Sequence, residues 1–342
     1  MNMKRVVAGI LGATMVLSLS ACGGNSSGTS TGSNSGDSGE KTFNLKLSHG
    51  LAEDHAVHIA MTDWAENVAE ASNGTINIQI FPNGTLGSEA DSISSIQAGG
   101  LDMAKVSAST LGNFKEEWNV MSVPYVFNDQ EHFYSVMDGE IAQELYTLTE
   151  SDGFIGLTWL DSGARSFYTA NTPIREPGDL KGLKIRTMDS QMAIDMMTAL
   201  GGSATVLGYS DIYTGMQQGV VDGAENNVTA LRDHKDVTQY YCFDEHTRIP
   251  DVIVLSTKVW NEMSESQREA LTSTAKQMTE EYKTAWAAFE DEVLASAVES
   301  GVELIEDVNT AAFQEACQPI YDNLKTSSPS VYAYVERIQS AS

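Results

Sequence analysis

The segment from residue 43 to residue 106 decides the fold class, because three short strand patterns alternate with two helical patterns along it. The strand patterns are FNLKL (43–47), TINIQIF (75–81) and LDMAKV (101–106). The first helical pattern ends at Asn73-Gly74, and Ser88 is a cap residue for the second, which runs to Gly99. Strand–helix–strand–helix–strand order predicts parallel pairing and an α/β fold.

The same alternation resumes further along the chain. We predict strands at 153–159, 165–169, 183–186, 204–207 and 252–256, and helices at 190–200 and 211–218. A chain of 342 residues favours two domains around two cores.

One predicted helix is unusually long, from Ser264 to Ser300. Ser264 and Gln267 fit a capping box, and Gly301 marks the end. A single apolar stripe recurs near a 3.6-residue period, formed by Leu271, Met278, Tyr282, Trp286, Phe289 and Val293. A coiled coil is the alternative, but strict heptads are absent. We therefore predict a helix that lies across two domains.

The N-terminus has the pattern of a processing signal. Lys4 and Arg5 precede an apolar run, Val6 to Leu19, that is short for a membrane span. Leu19-Ser20-Ala21-Cys22 resembles a bacterial lipobox, with an ordinary signal peptide as the alternative. We expect a lipoprotein signal peptide at 1–21, lipidation of Cys22 and a flexible linker at 22–40 rich in Ser, Gly, Thr and Asn. The folded body would be extracytoplasmic and held to the cell membrane by the lipid anchor alone.

Charge and cysteine content exclude several classes of function. The formal net charge of −27 disfavours nucleic acid and anionic lipid headgroups as partners. Besides Cys22, the chain has Cys242 and Cys317, for which we expect two buried, unlinked thiols, although an oxidising compartment permits a bridge. The sequence has no Cys-x-x-Cys motif and no His-rich tract, so it gives no indication of a metal site.

Arg186 ends the strand pattern in GLKIR (182–186) and is the principal candidate binding residue. A guanidinium offers rigid paired donors that match a carboxylate. The alternative is a surface arginine at a strand end. In so acidic a chain, this residue favours capture of a small organic acid.

Five runs together resemble one family. They are LGSE (86–89), QAGGLDM (97–103), VPYVF (123–127), GLKIR (182–186) and QQGVVDGAEN (217–226). In this order and spacing they are similar to the solute-binding receptors of tripartite ATP-independent periplasmic (TRAP) transporters, of the DctP-type branch. The resemblance covers nearly everything from Phe43 onward. Departures are Val206 for a common proline, Asp211 for the usual glutamate, and Gly215-Met216 for a common Ala-Leu.

The resemblance implies a two-lobed periplasmic-binding-protein-like fold with crossing strands and a long helix spanning both lobes. We expect lobe I to comprise 41–162 plus 251–290, and lobe II 163–250 plus 291–342. It also implies that Arg186 pairs with the ligand carboxylate, that Arg165 and Asn226 assist, and that Tyr209 lines the cleft. Arg165 could instead pair with Asp161 or Glu225 as a brace, and Asn226 could cap a helix.

Other candidates come from the residues themselves. Glu89 either complements a helix dipole or accepts sugar hydroxyl groups. Lys105 and Ser107 share one face of a strand that ends at the expected cleft, where Lys105 is a second cation for the ligand or a solvated lysine. His49 and His55 flank the first strand-to-helix loop, where ligands of open sheets tend to bind; two surface histidines are the alternative.

One carboxylate partner among several hydroxyl partners favours a sugar acid, and the runs 163–169 and 222–227 look like those of receptors for hexuronates such as glucuronate or galacturonate. A four-carbon dicarboxylate is the alternative ligand. We expect delivery to separate TRAP permease subunits, with no cofactor and no catalytic residues. A secreted hydrolase acting on acidic sugars is disfavoured, since Glu89 and Asp91 share one helical turn and no Gly-x-Ser-x-Gly elbow occurs.

Overall fold

A computed structural model describes residues 40–341. The predicted signal peptide, Cys22 and all but the last residue of the predicted linker lie outside the described residues. Among residues 40–341, no helix combines the length and apolar character that crossing a membrane requires.

The described chain alternates strands and helices. The strands are β1 (Phe43–Ser48), β2 (Ile76–Phe81), β3 (Met103–Ser107), β4 (Phe154–Leu160), β5 (Ala164–Thr169), β6 (Lys184–Thr187), β7 (Ser203–Val206), β8 (Gly223–Asn226), β9 (Tyr240–Arg248), β10 (Asp251–Ser256) and β11 (Glu303–Ile305). The helices are α1 (Ala56–Ala71), α2 (Glu89–Gln97), α3 (Ala108–Leu111), α4 (Gln130–Met137), α5 (Glu140–Thr147), α6 (Gln191–Ala199), α7 (Ile212–Gln217), α8 (Leu231–His234), α9 (Thr257–Glu262), α10 (Glu265–Glu299), α11 (Thr310–Ser327) and α12 (Pro329–Ser340).

Two sheets form the two lobes. The first has the order β2-β1-β3-β10-β4, and β1 pairs in parallel with both β2 and β3, as predicted. The second has the order β11-β9-β5-β8-β6-β7. Each sheet contains strands that run against their neighbours: β10 is antiparallel to β3 and β4, and β5 is antiparallel to β8 and β9. The α/β, two-lobed fold is therefore confirmed.

The chain passes between the sheets at three places, between β4 and β5, between β9 and β10, and between β10 and β11 by way of α9 and α10. The first two crossings lie at residues 161–163 and 249–250, next to the predicted limits of the lobes. The C-terminal helix α12 packs against the 3₁₀ helix Glu116–Ser122, in the first part of the chain, whereas the sequence assigned 291–342 to lobe II. The division into lobes by residue number stays a prediction.

Helix α10 connects the two cores. Ser264 and Gln267 form the predicted capping box, and Gly301 follows the helix with φ +97°. Leu271, Met278, Tyr282 and Trp286 pack in the core beneath the first sheet, while Val293 and Ala297 pack in a core of the second. The helix therefore spans both lobes, and its stripe is buried within the chain rather than in a coiled coil.

The two cysteines of the described residues are unlinked and buried, as predicted. Burial raises the pKa of each thiol to about 12, which keeps Cys242 and Cys317 protonated.

We expect Gly223→Ala to lower the free energy of unfolding by about 2 kcal/mol or more. Gly223 opens β8 opposite Thr169 of β5, and an added methyl would meet the Tyr168 carbonyl oxygen and lie 3.0 Å from the Thr169 Cα. The two strands would have to separate. Urea unfolding measures the loss.

Gly50→Ala is the matched control, because no atom beyond Gly50 and its two chain neighbours lies within 4 Å of the added methyl. Its effect should stay below about 1 kcal/mol. Equal losses in the two variants would contradict the close approach of β5 and β8 as the cause.

Candidate functional site

A cleft of about 600 Å³ lies where the strand ends of the two sheets face each other. Eight predicted site residues line it: His55, Glu89, Lys105, Ser107, Arg165, Arg186, Tyr209 and Asn226. The topology explains their convergence. Lys105, Arg186 and Asn226 lie at or near the ends of strands β3, β6 and β8, whereas Arg165 lies near the start of β5, which runs the opposite way.

Arg186 presents a free guanidinium to the cleft. The residue is 4% exposed, and its Nε donates to the Leu207 carbonyl oxygen at 2.9 Å. Of the three cations that line the cleft in the described chain, Arg186 alone has no carboxylate within 4.0 Å. Burial lowers its pKa, and Glu225 opposes that effect; a guanidinium nevertheless stays charged at neutral pH. Its remaining donors are free to bind an anion.

Arg165 is held in place by hydrogen bonds to residues of its own lobe. Its Nε donates to Glu225 Oε2 at 2.7 Å, and its two terminal nitrogens donate to Asn226 Oδ1 at 2.6 Å and to the Glu225 carbonyl oxygen at 2.8 Å. Of the two braces considered, Glu225 is therefore the partner. A guanidinium has five donors, so two are left for the cleft. Because Asn226 accepts through Oδ1, its amide nitrogen is left to donate.

The brace continues into a buried network. His246 contacts Glu225 Oε2 at 3.3 Å and Asp244 Oδ2 at 2.7 Å. Burial raises the pKa of Glu225, but Arg165 and His246 outweigh it and bring that pKa to about 2. Burial alone would lower the pKa of His246, but Asp244 and Glu225 raise it to about 9. Two cations thus balance two carboxylates, which leaves the charge of Arg186 uncompensated.

The opposite wall belongs to the first lobe. Lys105 Nζ lies 2.9 Å from Asp251 Oδ2 and 3.4 Å from Glu89 Oε1. Glu89 is fixed by the Ser107 amide at 3.0 Å and the Thr110 hydroxyl at 2.7 Å, both of which donate to Oε2. Asp251, Thr110, Asn227 and Thr229 line the cleft but were missed from the sequence. A polar residue directly before the predicted strand at 252–256 was the available signal for Asp251.

Only one of the two candidate histidines lies in the cleft. His55 lines the cleft, and its Nδ1 accepts from the Val57 amide at 3.2 Å. Burial lowers the pKa of His55 to about 3, so the neutral ring carries its proton on Nε2. His49 does not line the cleft: its Nδ1 accepts from the Leu51 amide, and its Nε2 lies 3.0 Å from His58 Nδ1.

Tyr209 lies on the second-lobe side of the cleft, where its hydroxyl donates to Asp233 Oδ2 at 2.9 Å and its ring is exposed in part. No group of three or more His, Cys, Asp or Glu residues within 40–341 is arranged to hold a metal ion.

Comparison with known proteins identifies the family. The model for bacterial extracellular solute-binding proteins of family 7 (DctP) matches residues 47–327. The chain belongs to this family. It is a solute-binding receptor of the TRAP type, a family of extracytoplasmic receptors rather than enzymes, as the sequence resemblance indicated.

Solved TRAP receptors share the fold. The protein from Sulfitobacter sp. NAS-14.1 with bound β-D-galacturonate is 31% identical, with a TM-score of 0.84 over 87% of this chain and 100% of that one. The protein from Chromohalobacter salexigens with bound D-glucuronate is 30% identical, with a TM-score of 0.85 over the same shares.

Curated relatives point to a broader range of ligands. A solute-binding protein of Chromohalobacter salexigens is 33% identical over 82% of this chain and 84% of its own length. Others in the family are named as binding proteins for C4-dicarboxylates, in Bacillus subtilis, and for 2,3-diketo-L-gulonate, in Escherichia coli.

We expect the free energy of unfolding of this receptor to fall as pH rises from about 6.5 to about 9. The folded-state pKa of His246 is raised from 6.5 to about 9, so its stabilisation is complete below pH 6.5 and is lost as pH passes 9. The loss is on the order of 3 kcal/mol. Urea unfolding at a series of pH values measures it.

In His246→Gln, the protein should be less stable at pH 6 and its alkaline slope should be shallower. His58→Gln leaves the network intact and should keep the slope of the wild type. A His246→Gln variant with an unchanged slope would show that another group causes the alkaline loss.

Proposed function

We propose that this TRAP receptor binds a hexuronate, such as D-glucuronate or D-galacturonate, in the cleft between its lobes and delivers it to membrane permease subunits. The observation that carries the proposal is the buried Arg186 guanidinium, which has no carboxylate partner among the described residues. A single uncompensated cation suits a ligand with a single carboxylate.

The remaining cleft groups suit hydroxyl groups. Glu89 and Asp251 are acceptors, while His55 Nε2 and the Asn226 amide nitrogen are donors. Such a mixture of donors and acceptors suits a polyhydroxy ring, because each hydroxyl group both donates and accepts. The protein side chains are already held in place by other hydrogen bonds. The hexuronates in two structural neighbours support the same ligand class.

A four-carbon dicarboxylate is the second candidate, favoured by the name of the relative from Bacillus subtilis. Such a ligand needs a second positive partner. The other two cations of the cleft are already paired: Lys105 contacts Glu89 and Asp251, and Arg165 contacts Glu225. The pairing of both cations therefore favours the sugar acid.

Binding would act through the two lobes. A ligand held by Arg186 on one side and by Glu89 on the other binds the closed arrangement better than an open one, and so shifts the population towards closure. The permease would then recognise the closed receptor. No chemical step is required of these residues.

Isothermal titration calorimetry with D-glucuronate, D-galacturonate and succinate tests the proposal. We expect heat and saturation with at least one hexuronate and much weaker binding of succinate. Arg186→Ala should weaken hexuronate binding at least about a hundredfold, because it removes a desolvated charged pair. Saturation with succinate and no heat with either hexuronate would reject the ligand class.

The control variant is Arg337→Ala, which removes an exposed arginine that pairs with Glu144 away from the cleft. Its affinity should match that of the wild type. Unchanged affinity in Arg186→Ala would remove this residue from the binding site.

We also propose that Cys22 carries the lipid anchor, on the strength of Leu19-Ser20-Ala21-Cys22 and the polar tract that follows. The full chain should sediment with membranes and incorporate radiolabelled palmitate, whereas Cys22→Ser should do neither. Cys317→Ser is the control and should behave like the wild type. Labelled, membrane-bound Cys22→Ser protein would contradict the anchor.

A further inference from the structure

The first-lobe wall of the cleft has more negative than positive groups around Lys105. Its ammonium lies between Asp251, at 2.9 Å, and Glu89, at 3.4 Å. Lys105 is 4% exposed and the Asp251 side chain 12%, so water screens the Lys105–Asp251 pair weakly. With both carboxylates ionised, the three groups carry a net charge of −1.

This balance differs from that of the facing wall. There the Arg165, His246, Glu225 and Asp244 charges cancel, and Arg186 adds a positive charge. Asp189 and Asp211 also line the cleft, but they are exposed, so solvent reduces their influence. The cleft is therefore polarised, with its positive end in the second lobe and its negative end in the first.

We propose that Glu89 and Asp251, whose two negative charges exceed the single positive charge of Lys105, select against a second carboxylate, so that the receptor takes sugar monoacids and rejects the corresponding diacids. This inference rests on the proposed function, because it assumes that Arg186 holds the first carboxylate. A second carboxylate would approach two like charges, and close like charges cost several kcal/mol in a desolvated site. A hydroxyl group meets acceptors there instead.

The wall is rigid enough to discriminate. Glu89 Oε2 accepts from the Ser107 amide and the Thr110 hydroxyl, so the carboxylate cannot turn away from the cleft without losing two hydrogen bonds. Asp251 opens β10, whose ladder to β3 pairs it with Ser107. Burial raises the pKa of Asp251, Lys105 opposes this, and Glu89 adds to it. Protonation would remove the negative charge and supply an O–H donor, so the repulsion requires the ionised carboxylate, which Lys105 favours.

The test compares D-glucuronate with D-glucarate, which carries carboxylates at both ends of the same carbon chain. Calorimetry gives the ratio of the glucarate Kd to the glucuronate Kd in the wild type, which should be at least about a hundred. In Asp251→Asn and in Glu89→Gln, the ratio should fall at least about tenfold, because one of the two repelling charges is gone. Because it compares two ligands in the same variant, the ratio of Kd values corrects for the hydrogen bonds to hydroxyl groups that each ligand loses through the substitution.

Glu131→Gln is the matched control, since it removes an exposed carboxylate at the start of α4 and should leave the ratio unchanged within about twofold. Glu89 is half-buried, so Glu89→Gln decides the matter if Asp251→Asn does not fold. An unchanged ratio in folded Glu89→Gln, or a wild type that binds glucarate as tightly as glucuronate, would overturn the inference. Wild type that binds neither sugar acid would instead reject the proposed hexuronate function.

Discussion

The rest of the site depends on the charge of Arg186, which is buried without a carboxylate from the described residues. Burying a cation costs free energy unless an anion accompanies it. The folded protein tolerates that cost, and in the proposed function a ligand carboxylate would offset it on binding. This difference between the empty and the occupied cleft would then be the source of the affinity for the ligand. It also explains why the neighbouring charges are arranged to cancel: an extra carboxylate near Arg186 would compete with the ligand.

Two reversed strands make that arrangement possible. In a purely parallel sheet, only the carboxyl ends of strands reach the ligand edge. Here β5 and β10 run against their neighbours, so residues at their starts reach the same edge. Arg165 and Asp251 are such residues. Each lies within two residues of a crossing between the lobes, so these charged groups of the cleft are held next to the segments that join the two lobes.

The sequence predicted much of the fold and part of the site. Strands with regular alternation, such as β1 and β2, and the capped helix α10 were found because local pattern and burial agree. Strands β8 and β9 were missed. Their sequences, GAEN and YYCFDEHTR, carry Glu225, Asp244 and His246, which are buried only because they pair with one another. Arg165, Glu225 and His246 are far apart in the sequence, so no local periodicity reveals that they meet. For His49, the sequence predicted the position in the loop correctly but not the direction of the side chain. That side chain turns towards His58 rather than into the cleft.

The unlinked thiols have a consequence for where such a receptor can work. Many exported proteins depend on disulfides for stability, and their folding then depends on the oxidants of the compartment. In the described part of this chain, Cys242 and Cys317 are each enclosed in core and no disulfide bond links them. No disulfide has to form before the described part of the chain reaches its fold, so its folding should not require the oxidants of the compartment.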